Sequence, residues 1–180
     1  LRGSTGKLAR AGGVFGDSVR LIEQAEPALD RVWKEVAGAY PLAAVRDAAF
    51  VEWRFFRNPQ RDYLVYLLRT GITRRPRGYA VVGIDGDTAR VVDILTQPDP
   101  ALISVLSGRV ASDLSARGID TVETWLPAGH FLTAGLLAAG WSREAEPLGI
   151  VPTARSFDPE LTIPWVSENF FYTMADSDLQ

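Results

Sequence analysis

The spacing of apolar residues along the chain predicts an alternation of strands and helices. Short runs rich in Val, Leu, Ile and Tyr and bounded by turn residues are typical of strands. Apolar residues that recur every three to four positions are typical of helices. The predicted strands are residues 17–23, 62–70, 78–84, 89–96, 121–127, 141–151 and 169–175. The predicted helices are residues 26–40, 46–59, 100–117 and 129–140. The pattern therefore indicates an α/β fold.

Turn signals between these elements predict how the strands pair. The sequence "DGD" at residues 85–87 is a tight hairpin signal, so the strands on either side of it are expected to be antiparallel. The second, third and fourth predicted strands then form an antiparallel meander. The helix over 100–117 ends at Gly118, a natural C-terminal cap residue, and connects the fourth strand to the fifth. A strand–helix–strand unit favours parallel pairing, so we expect a mixed central sheet flanked by helices.

The length of 180 residues indicates one domain. Residues 1–16 are Gly-rich, basic and aperiodic, which is typical of a flexible linker or arm, and residues 17–180 are expected to form the domain itself. The first residues, "LRGSTGKLARAGG", contain neither an initiator Met nor the apolar core of a signal peptide. We expect a piece of a longer protein, or a processed chain, located in the cytoplasm.

Composition excludes several functional classes. The net charge of −3 and the pI near 5.2 argue against a nucleic-acid partner, and the arginine-dense residues 69–78 are expected to form a solvated hairpin loop. The absence of cysteine excludes disulfide scaffolds, zinc–thiolate sites and cysteine nucleophiles. A single histidine, His130, excludes a histidine-rich metal site. No apolar run approaches the roughly 18 residues of a membrane span. The glycine patterns of nucleotide-binding loops and the G-x-S-x-G pattern of serine hydrolases are also missing.

Three segments resemble parts of one known family. The stretch "LTAGLLAAGW" (132–141) is similar to the family's late helix running into a Gly–aromatic pair. The stretches "FVEWRFFRNPQRDY" (50–63) and "FFYTMADSD" (170–178) are similar to segments of tandem members. Together with the order of elements, they make residues 17–176 resemble the GNAT acyltransferases, the N-acetyltransferases that use acetyl-coenzyme A. Within that family the chain resembles the degenerate C-terminal half of tandem proteins, in which a second GNAT-like half follows an N-terminal one.

The resemblance implies a sheet that is splayed between its fourth and fifth strands. Acetyl-coenzyme A, or another acyl-coenzyme A, would lie in that gap and be held by backbone hydrogen bonds. Its pyrophosphate would bind N–H groups at the start of the next helix, and its acyl group would pass to an amine acceptor by direct attack. The resemblance places the cofactor site at Leu95, Thr96, Gln97, Ala101, Leu102 and Ile103.

The loop that would bind the pyrophosphate departs from the family's pattern, which is Gln/Arg-x-x-Gly-x-Gly/Ala. Gln97 matches the first position, but Pro100 and Leu102 stand where the pattern has small residues. Proline has no N–H to donate, and the bulk of leucine hinders the close approach of a phosphate. Asp99 before a proline is a favoured N-cap arrangement, so we expect its carboxylate to cap the helix where the pyrophosphate would bind. Leu136 replaces a Tyr that often protonates the leaving thiolate.

Three residues are candidates for catalysis. Glu123 lies in the middle of a strand near the expected gap and could be a general base; we favour the alternative, an outward face of an alternating strand. Asp93 interrupts an apolar run, so it could point into the substrate cleft, or pair with Arg90 or an arginine of residues 74–77. His130 could be a general acid or base, since its pKa is ordinarily near neutral; we favour a surface residue in the first turn of a helix.

Aromatic residues are candidates for an acceptor pocket in the region where the family has one. They are Trp53, Phe56, Tyr63 and Tyr172. The alternative is a simple core, because aromatic residues at helical or strand spacing are more often buried for packing.

Three functions are compatible with these observations. The first is acyl transfer from coenzyme A to an unknown amine. The second is a non-catalytic GNAT-like half that supports an active N-terminal half of the same protein, and the third is a ligand-binding module without catalysis. We assign the acyltransferase activity to the whole protein, while the damaged loop and the missing Tyr favour the second function for this domain.

Overall fold

A computed structural model describes residues 1–9, 18–145, 153 and 155–177. Its strands are β1 (Arg2–Ser4), β2 (Ser18–Ile22), β3 (Leu42–Ala43), β4 (Tyr63–Thr70), β5 (Arg75–Asp85), β6 (Thr88–Thr96), β7 (Thr121–Glu123) and β8 (Phe170–Phe171). Its α-helices are α1 (Thr5–Leu8), α2 (Pro27–Val36), α3 (Ala48–Val51), α4 (Pro100–Ala116), α5 (Phe131–Ala138) and α6 (Ile163–Asn169).

The main sheet has six strands in the order β1-β7-β6-β5-β4-β2. The strands β2, β4, β5 and β6 pair antiparallel in sequence. The pair β6–β7 is parallel, with α4 as the connection, and β1 pairs antiparallel with the other edge of β7. This arrangement confirms the predicted mixed sheet, its meander and its parallel strand–helix–strand unit. A second, two-stranded parallel sheet joins β3 to β8.

Two glycines terminate elements at the predicted places. Gly86 turns the chain between β5 and β6 with a φ of 62°, and Gly118 follows α4 with a φ of 80°. Both angles lie in the left-handed region, which glycine adopts without the steric penalty that a Cβ brings. The predicted hairpin and the predicted end of the helix are therefore confirmed.

The helices α2 and α4 contribute much of the core. The helix α2 packs on β5 and β6, and α4 packs on β2, β5 and β6. The buried residues of α2 include Leu29, Val32 and Val36, which recur at the predicted helical spacing. Each fully buried aliphatic side chain of this kind stabilises the fold by about 1.5–3 kcal/mol.

The prediction of a flexible arm is wrong for the part of residues 1–16 that the structure describes. Residues 1–9 contain β1 and α1, and Leu8 is buried in the core. The segment lacks an apolar alternation, but β1 is held through its backbone and does not need one. Residues 10–16 lie outside the described residues.

The predicted second helix also differs from the structure. The helix α3 is short and continues into a wider π-helical turn, Glu52–Phe56. The extra residue in that turn rotates the buried face, so Phe55 is buried while Trp53 is 66% exposed. The core alternative is therefore wrong for Trp53, whereas Phe50 and Phe56 are half-buried against the core.

The last predicted strands agree with the structure only in part of the residues that it describes. The strand predicted over 121–127 ends at Glu123. In the strand predicted over 141–151, Ser142 forms an isolated bridge with Arg2, and residues 146–151 lie outside the described residues. Only Phe170–Phe171 of the final predicted strand is extended in a sheet; a 3₁₀ turn, Met174–Asp176, follows it. Among the described residues, no helix has the length and apolar character needed to cross a membrane.

Candidate functional site

The strands β6 and β7 pair over only part of their length. Thr88, Ala89 and Arg90 pair with Thr121, Val122 and Glu123, and the pairing stops there although β6 continues to Thr96. A side-chain bond follows, in which Thr124 Oγ1 donates to the Val91 carbonyl at 2.7 Å. We call the region between residues 91–96 of β6 and residues 124–130 after β7 the open seam. It occupies the place where the GNAT resemblance puts the acyl donor.

The Tyr40 side chain binds the backbone of β6 at the Thr96 end of the open seam. Its hydroxyl donates to the Thr96 carbonyl at 2.8 Å and accepts from the Thr96 N–H at 3.3 Å. These are the two backbone groups through which Thr96 would otherwise pair with a neighbouring chain or ligand. Burial raises the pKa of Tyr40, so the hydroxyl keeps its proton for donation. One side chain therefore satisfies both backbone groups at the end of β6.

Three further rings surround Tyr40. With it, His130, Phe131 and Phe171 form a cluster that we call the aromatic plug. The Tyr40 ring centre lies 5.2 Å from His130, 5.5 Å from Phe131 and 4.7 Å from Phe171. The His130 ring centre lies 4.2 Å from Phe131 and 4.7 Å from Phe171. These distances are typical of packed aromatic pairs, so the plug is a packed cluster at the end of the open seam.

His130 is the N-cap of α5 rather than a residue of its first turn. Its Nδ1 accepts from the Leu132 N–H at 3.3 Å. Burial lowers the pKa of His130 to about 4. The Nε2 atom is buried and finds no hydrogen-bond partner among the described residues. The favoured surface position is thus wrong, because the imidazole is half-buried among aromatic rings, an environment that favours its neutral form.

The start of α4 has the predicted capped geometry. Asp99 Oδ1 accepts from the Ala101 N–H at 2.9 Å, and Pro100 occupies the first turn. The Asp99 N–H donates to the Gln97 carbonyl at 2.7 Å. The backbone donors on which a pyrophosphate would rest are therefore reduced by the proline and partly occupied by the aspartate.

The six residues predicted for the cofactor site fall into two groups. Ala101 is exposed and Gln97 is half-buried. The other four, Leu95, Thr96, Leu102 and Ile103, are buried in the core. Ile103 also packs closely on α5, since a Cβ placed on Gly135 would lie 2.4 Å from Ile103 Cδ1.

Asp93 lies in a buried polar network. Its Oδ1 accepts from Arg46 Nε at 3.1 Å and from Thr173 Oγ1 at 3.0 Å, and its Oδ2 accepts from the Tyr79 hydroxyl at 2.6 Å. The predicted pairing with Arg90 or with the 74–77 loop is wrong, because the cation beside Asp93 is Arg46. Both carboxylate oxygens that accept these bonds are turned away from solvent, since Asp93 is fully buried.

Arg46 links this network to the C-terminal segment. Its Nη2 donates to Asp176 Oδ2 at 2.5 Å, and its guanidinium carbon lies 4.8 Å from the Phe171 ring centre. Burial alone would lower the pKa of Arg46, but the charges of Asp93 and Asp176 outweigh burial and raise it. Arg46 is therefore a permanent cation that holds residues 171–176 against β6.

Glu123 is half-buried and forms an ion pair. Its Oε1 accepts from Arg90 Nε at 2.8 Å, and Arg90 also donates to Asp85 at 2.9 Å. The neighbours Val122 and Thr124 are fully buried on the opposite face. The favoured outward position is thus confirmed, and the structure does not bring Glu123 together with Asp93 or His130 in a hydrogen-bonded set.

Two of the residues predicted for an acceptor pocket, Trp53 and Tyr63, are linked through Phe50 and Phe55, whose ring centres lie 5.9 Å apart. Trp53 contacts Phe50, and Tyr63 contacts Phe55 with ring centres 5.3 Å apart. The Tyr172 ring centre lies 6.1 Å from that of Phe170, and burial raises the pKa of Tyr172. Phe56 packs against the core from a half-buried position.

Sequence reasoning missed Tyr40, Arg46, Phe171 and Thr173. Arg46 carried a usable signal, because apart from the capping Asp47 it is the one charge in the stretch "PLAAVRDAAF". Asp93 is likewise the one charge in the stretch "VVDILT". Two lone charges of opposite sign in buried segments favour a pair, because an unpaired buried charge is very costly.

Solved structures identify the fold. A protein of Enterococcus faecalis V583, described as a probable N-acyltransferase of unknown function, matches with a TM-score of 0.54 and 13% identity, over 67% of this chain and 30% of its own. The ribosomal-protein-S18-alanine N-acetyltransferase of Escherichia coli matches with a TM-score of 0.54 and 16% identity, over 72% of this chain and 79% of its own. No family profile and no curated protein sequence matches the chain. The chain has the GNAT fold, as the sequence predicted.

Proposed function

We propose that this chain is a GNAT-fold module of an N-acyltransferase, and that the module itself does not bind the acyl donor. Its role is to support another GNAT module that holds the acyl-coenzyme A and transfers its acyl group to an amine. The observation that carries the proposal is the bond pair between the Tyr40 hydroxyl and the backbone of Thr96 in the open seam.

The residues around the open seam do not fit an acyl-coenzyme A. A donor in this gap would need the free backbone edge of the fourth strand, which corresponds to β6. Tyr40 already uses the N–H and carbonyl of Thr96, and the aromatic plug packs beside it. A ligand would have to displace the hydroxyl and separate the rings, and each buried polar group left unpaired costs about 1–3 kcal/mol.

Asp99 is a second and independent obstacle. Its carboxylate lies on the Ala101 N–H, at the helix start where a pyrophosphate would bind. Two unit charges about 4 Å apart repel by roughly 4 kcal/mol at an effective dielectric constant of 20. The attraction of a helix N-terminus for an anion is about 0.3–2 kcal/mol. The repulsion exceeds this attraction, so the loop disfavours a diphosphate.

The size of the Enterococcus faecalis protein supports a module within a larger enzyme. This chain spans 30% of that protein's length, which leaves room for further modules in a chain of that kind. In such an assembly the acyl-coenzyme A and the amine acceptor would belong to another GNAT half. The alternative, an acyltransferase that works with this module alone, requires the donor to bind in the open seam.

Calorimetric titration of the chain with acetyl-coenzyme A tests the proposal. We expect no saturable heat up to about 1 mM ligand, which corresponds to binding weaker than about 4 kcal/mol. The E. coli alanine N-acetyltransferase serves as the positive control for the ligand. Saturable one-to-one binding that ADP alone does not reproduce would contradict the proposal and support the alternative. In that case Asp99→Gly should strengthen binding, since it removes the charge and frees the Ala101 N–H.

A further inference from the structure

The edge strand β1 lies between β7 and the isolated bridge residue Ser142. On one side it pairs with β7 in the register Arg2–Glu123, Gly3–Val122 and Ser4–Thr121. On the other side Arg2 exchanges two backbone bonds with Ser142, at 3.0 and 2.8 Å. The Leu1 carbonyl also accepts from the Thr124 N–H at 2.9 Å. Without residues 1–4, a strand-shaped slot would therefore separate β7 from Ser142.

Side chains anchor the segment that follows β1. Thr5 is buried, its N–H donates to the Asp120 carbonyl at 3.1 Å, and its hydroxyl donates to the Ile119 carbonyl at 2.7 Å. Leu8 is buried, and α1 packs on α4. The segment 1–8 thus combines a strand that pairs through its backbone with two residues that fill a site beside it.

The packing of the segment leaves little room for a side chain at its third residue. A Cβ on Gly3 would lie 2.5 Å from Leu8 Cδ1 and 3.6 Å from an indole carbon of Trp141. A side chain at Gly3 would therefore force the buried Leu8 side chain of the same segment to move, and glycine avoids this. Gly6 differs, because a Cβ placed there would meet nothing within 4 Å.

The segment lies far from the strand that follows it in sequence. β1 and β2 stand at opposite ends of the order β1-β7-β6-β5-β4-β2, about 24 Å apart at the usual spacing of roughly 4.8 Å between strands. The contacts described above are made with residues 119–124, Ser142 and α4. They depend on the sequence of the segment and not on its covalent link to β2.

We infer that the space between β7 and Ser142 is a strand-acceptor site, and that the occupant in trans is the segment 1–8 of a second copy of this chain. An identical copy carries the same glycine, threonine and leucine in the same register, so every contact can be reproduced. Reciprocal donation gives a closed two-fold dimer of the domain-swapped kind. The site is distinct from the open seam, which lies between β6 and the residues after β7.

The test begins with the intact chain carrying a protease site between Gly12 and Gly13. After cleavage we expect residues 1–12 to remain with the body in native mass spectrometry. An excess of fluorescein-labelled peptide LRGSTGKLA should then replace the fragment over time. The Gly3→Val version of the peptide should compete at least about tenfold less well, because overpacking of a filled site weakens binding. The Gly6→Ala version should compete like the natural peptide.

Light scattering of the uncut chain tests the second copy as donor. A dimer fraction should rise with protein concentration up to about 1 mM, the range of the effective concentration that a short linker provides. Gly3→Val should abolish the dimer and Gly6→Ala should retain it. The inference would be overturned if the fragment is released on cleavage, or if it is retained but does not exchange with the peptide. It would also be overturned if both peptide variants compete equally, or if the uncut chain is a monomer at every concentration.

Discussion

The boundary between β6 and β7 has a paired half and an unpaired half, and their backbone N–H and carbonyl groups find hydrogen-bond partners in different ways. In the first half, residues 88–90 and 121–123 satisfy their backbone groups by regular parallel pairing. In the second half the strands no longer pair, and side chains take over: Thr124 bonds to the Val91 carbonyl and Tyr40 bonds to both groups of Thr96. A GNAT fold that binds an acyl donor would leave this second half to the ligand.

The comparison shows that a splayed sheet does not by itself indicate a ligand site. Buried backbone groups must be paired with something, and either a ligand or the chain's own side chains can meet that need. Here Tyr40 pairs the backbone groups of Thr96, the other rings of the aromatic plug pack around Tyr40, and the Arg46 network holds the C-terminal segment in place. Substitutions that remove these contacts should therefore weaken the second half of the seam to different degrees.

Replacing Arg46 by Ala should cause the largest loss. Arg46→Ala leaves the carboxylate of Asp93 buried without its cation, which typically costs about 3–5 kcal/mol. Urea unfolding should show this loss in the free energy of unfolding. Arg57→Ala is the matched control, because Arg57 Nε contacts Glu52 at 3.0 Å, much as Arg46 Nε contacts Asp93 at 3.1 Å, but on the surface. That exposed pair should contribute at most about 1 kcal/mol. Equal losses of unfolding free energy in the two variants would show that the Arg46 network does not stabilise the second half of the seam.

The second prediction concerns pH. Because burial holds the pKa of His130 at about 4, below its ordinary 6.5, the unfolded chain takes up the proton first as the pH falls. The stability linked to His130 is therefore complete above pH 6.5 and is lost as the pH falls from 6.5 through 4. The loss should reach about 2–3 kcal/mol, because each pH unit between the two pKa values contributes roughly 1.4 kcal/mol and the remaining solvent contact of the ring reduces the sum.

His130→Asn separates this effect from the titration of carboxylates. Asparagine is a good N-cap residue, so α5 keeps its cap while the titrating imidazole is removed. Unfolding free energies measured at several pH values between 4 and 7 should fall less steeply for the variant than for the natural chain. Parallel profiles would show that His130 is not enclosed in the way the plug requires.

Removal of the Tyr40 hydroxyl should have the next largest effect. Tyr40→Phe leaves the N–H and carbonyl of Thr96 buried and unpaired, at a cost of about 1–3 kcal/mol. Tyr63→Phe is the control, since its half-buried hydroxyl has no hydrogen bond among the described residues, and it should change stability by less than about 0.5 kcal/mol. Thermal unfolding of both variants compares them. If Tyr40→Phe is as mild as the control, the hydroxyl does not complete the second half of the seam.

The helix cap should give the smallest change. Asp99→Ala removes the acceptor for the Ala101 N–H and should cost about 1 kcal/mol, whereas Asp99→Asn keeps an acceptor and should cost much less. Urea unfolding distinguishes the two. A larger loss for Asn than for Ala would contradict the capping geometry.

Local sequence patterns predict the fold and the cap but not the plug. The cap connects residues two positions apart, and the strands and helices follow from short-range periodicity. Tyr40 and Thr96 are 56 positions apart, and Arg46 and Asp93 are 47 apart. Which of the buried polar groups meet depends on how the elements pack, and one sequence does not contain that information directly. The prediction for segment 1–9 is wrong for a related reason, because β1 is held mainly by backbone bonds that leave no side-chain pattern.

Backbone amide NMR of the chain with added acetyl-coenzyme A shows whether the N–H groups of Thr96 and Ala101 are free to bind the acyl donor. We expect the Thr96 and Ala101 amide resonances to keep their shifts up to about 1 mM ligand, and the Thr96 amide to stay protected from hydrogen exchange through its bond to Tyr40. Saturable shifts of both amides with the ligand, together with a Tyr40 ring that moves away from Thr96, would contradict this expectation.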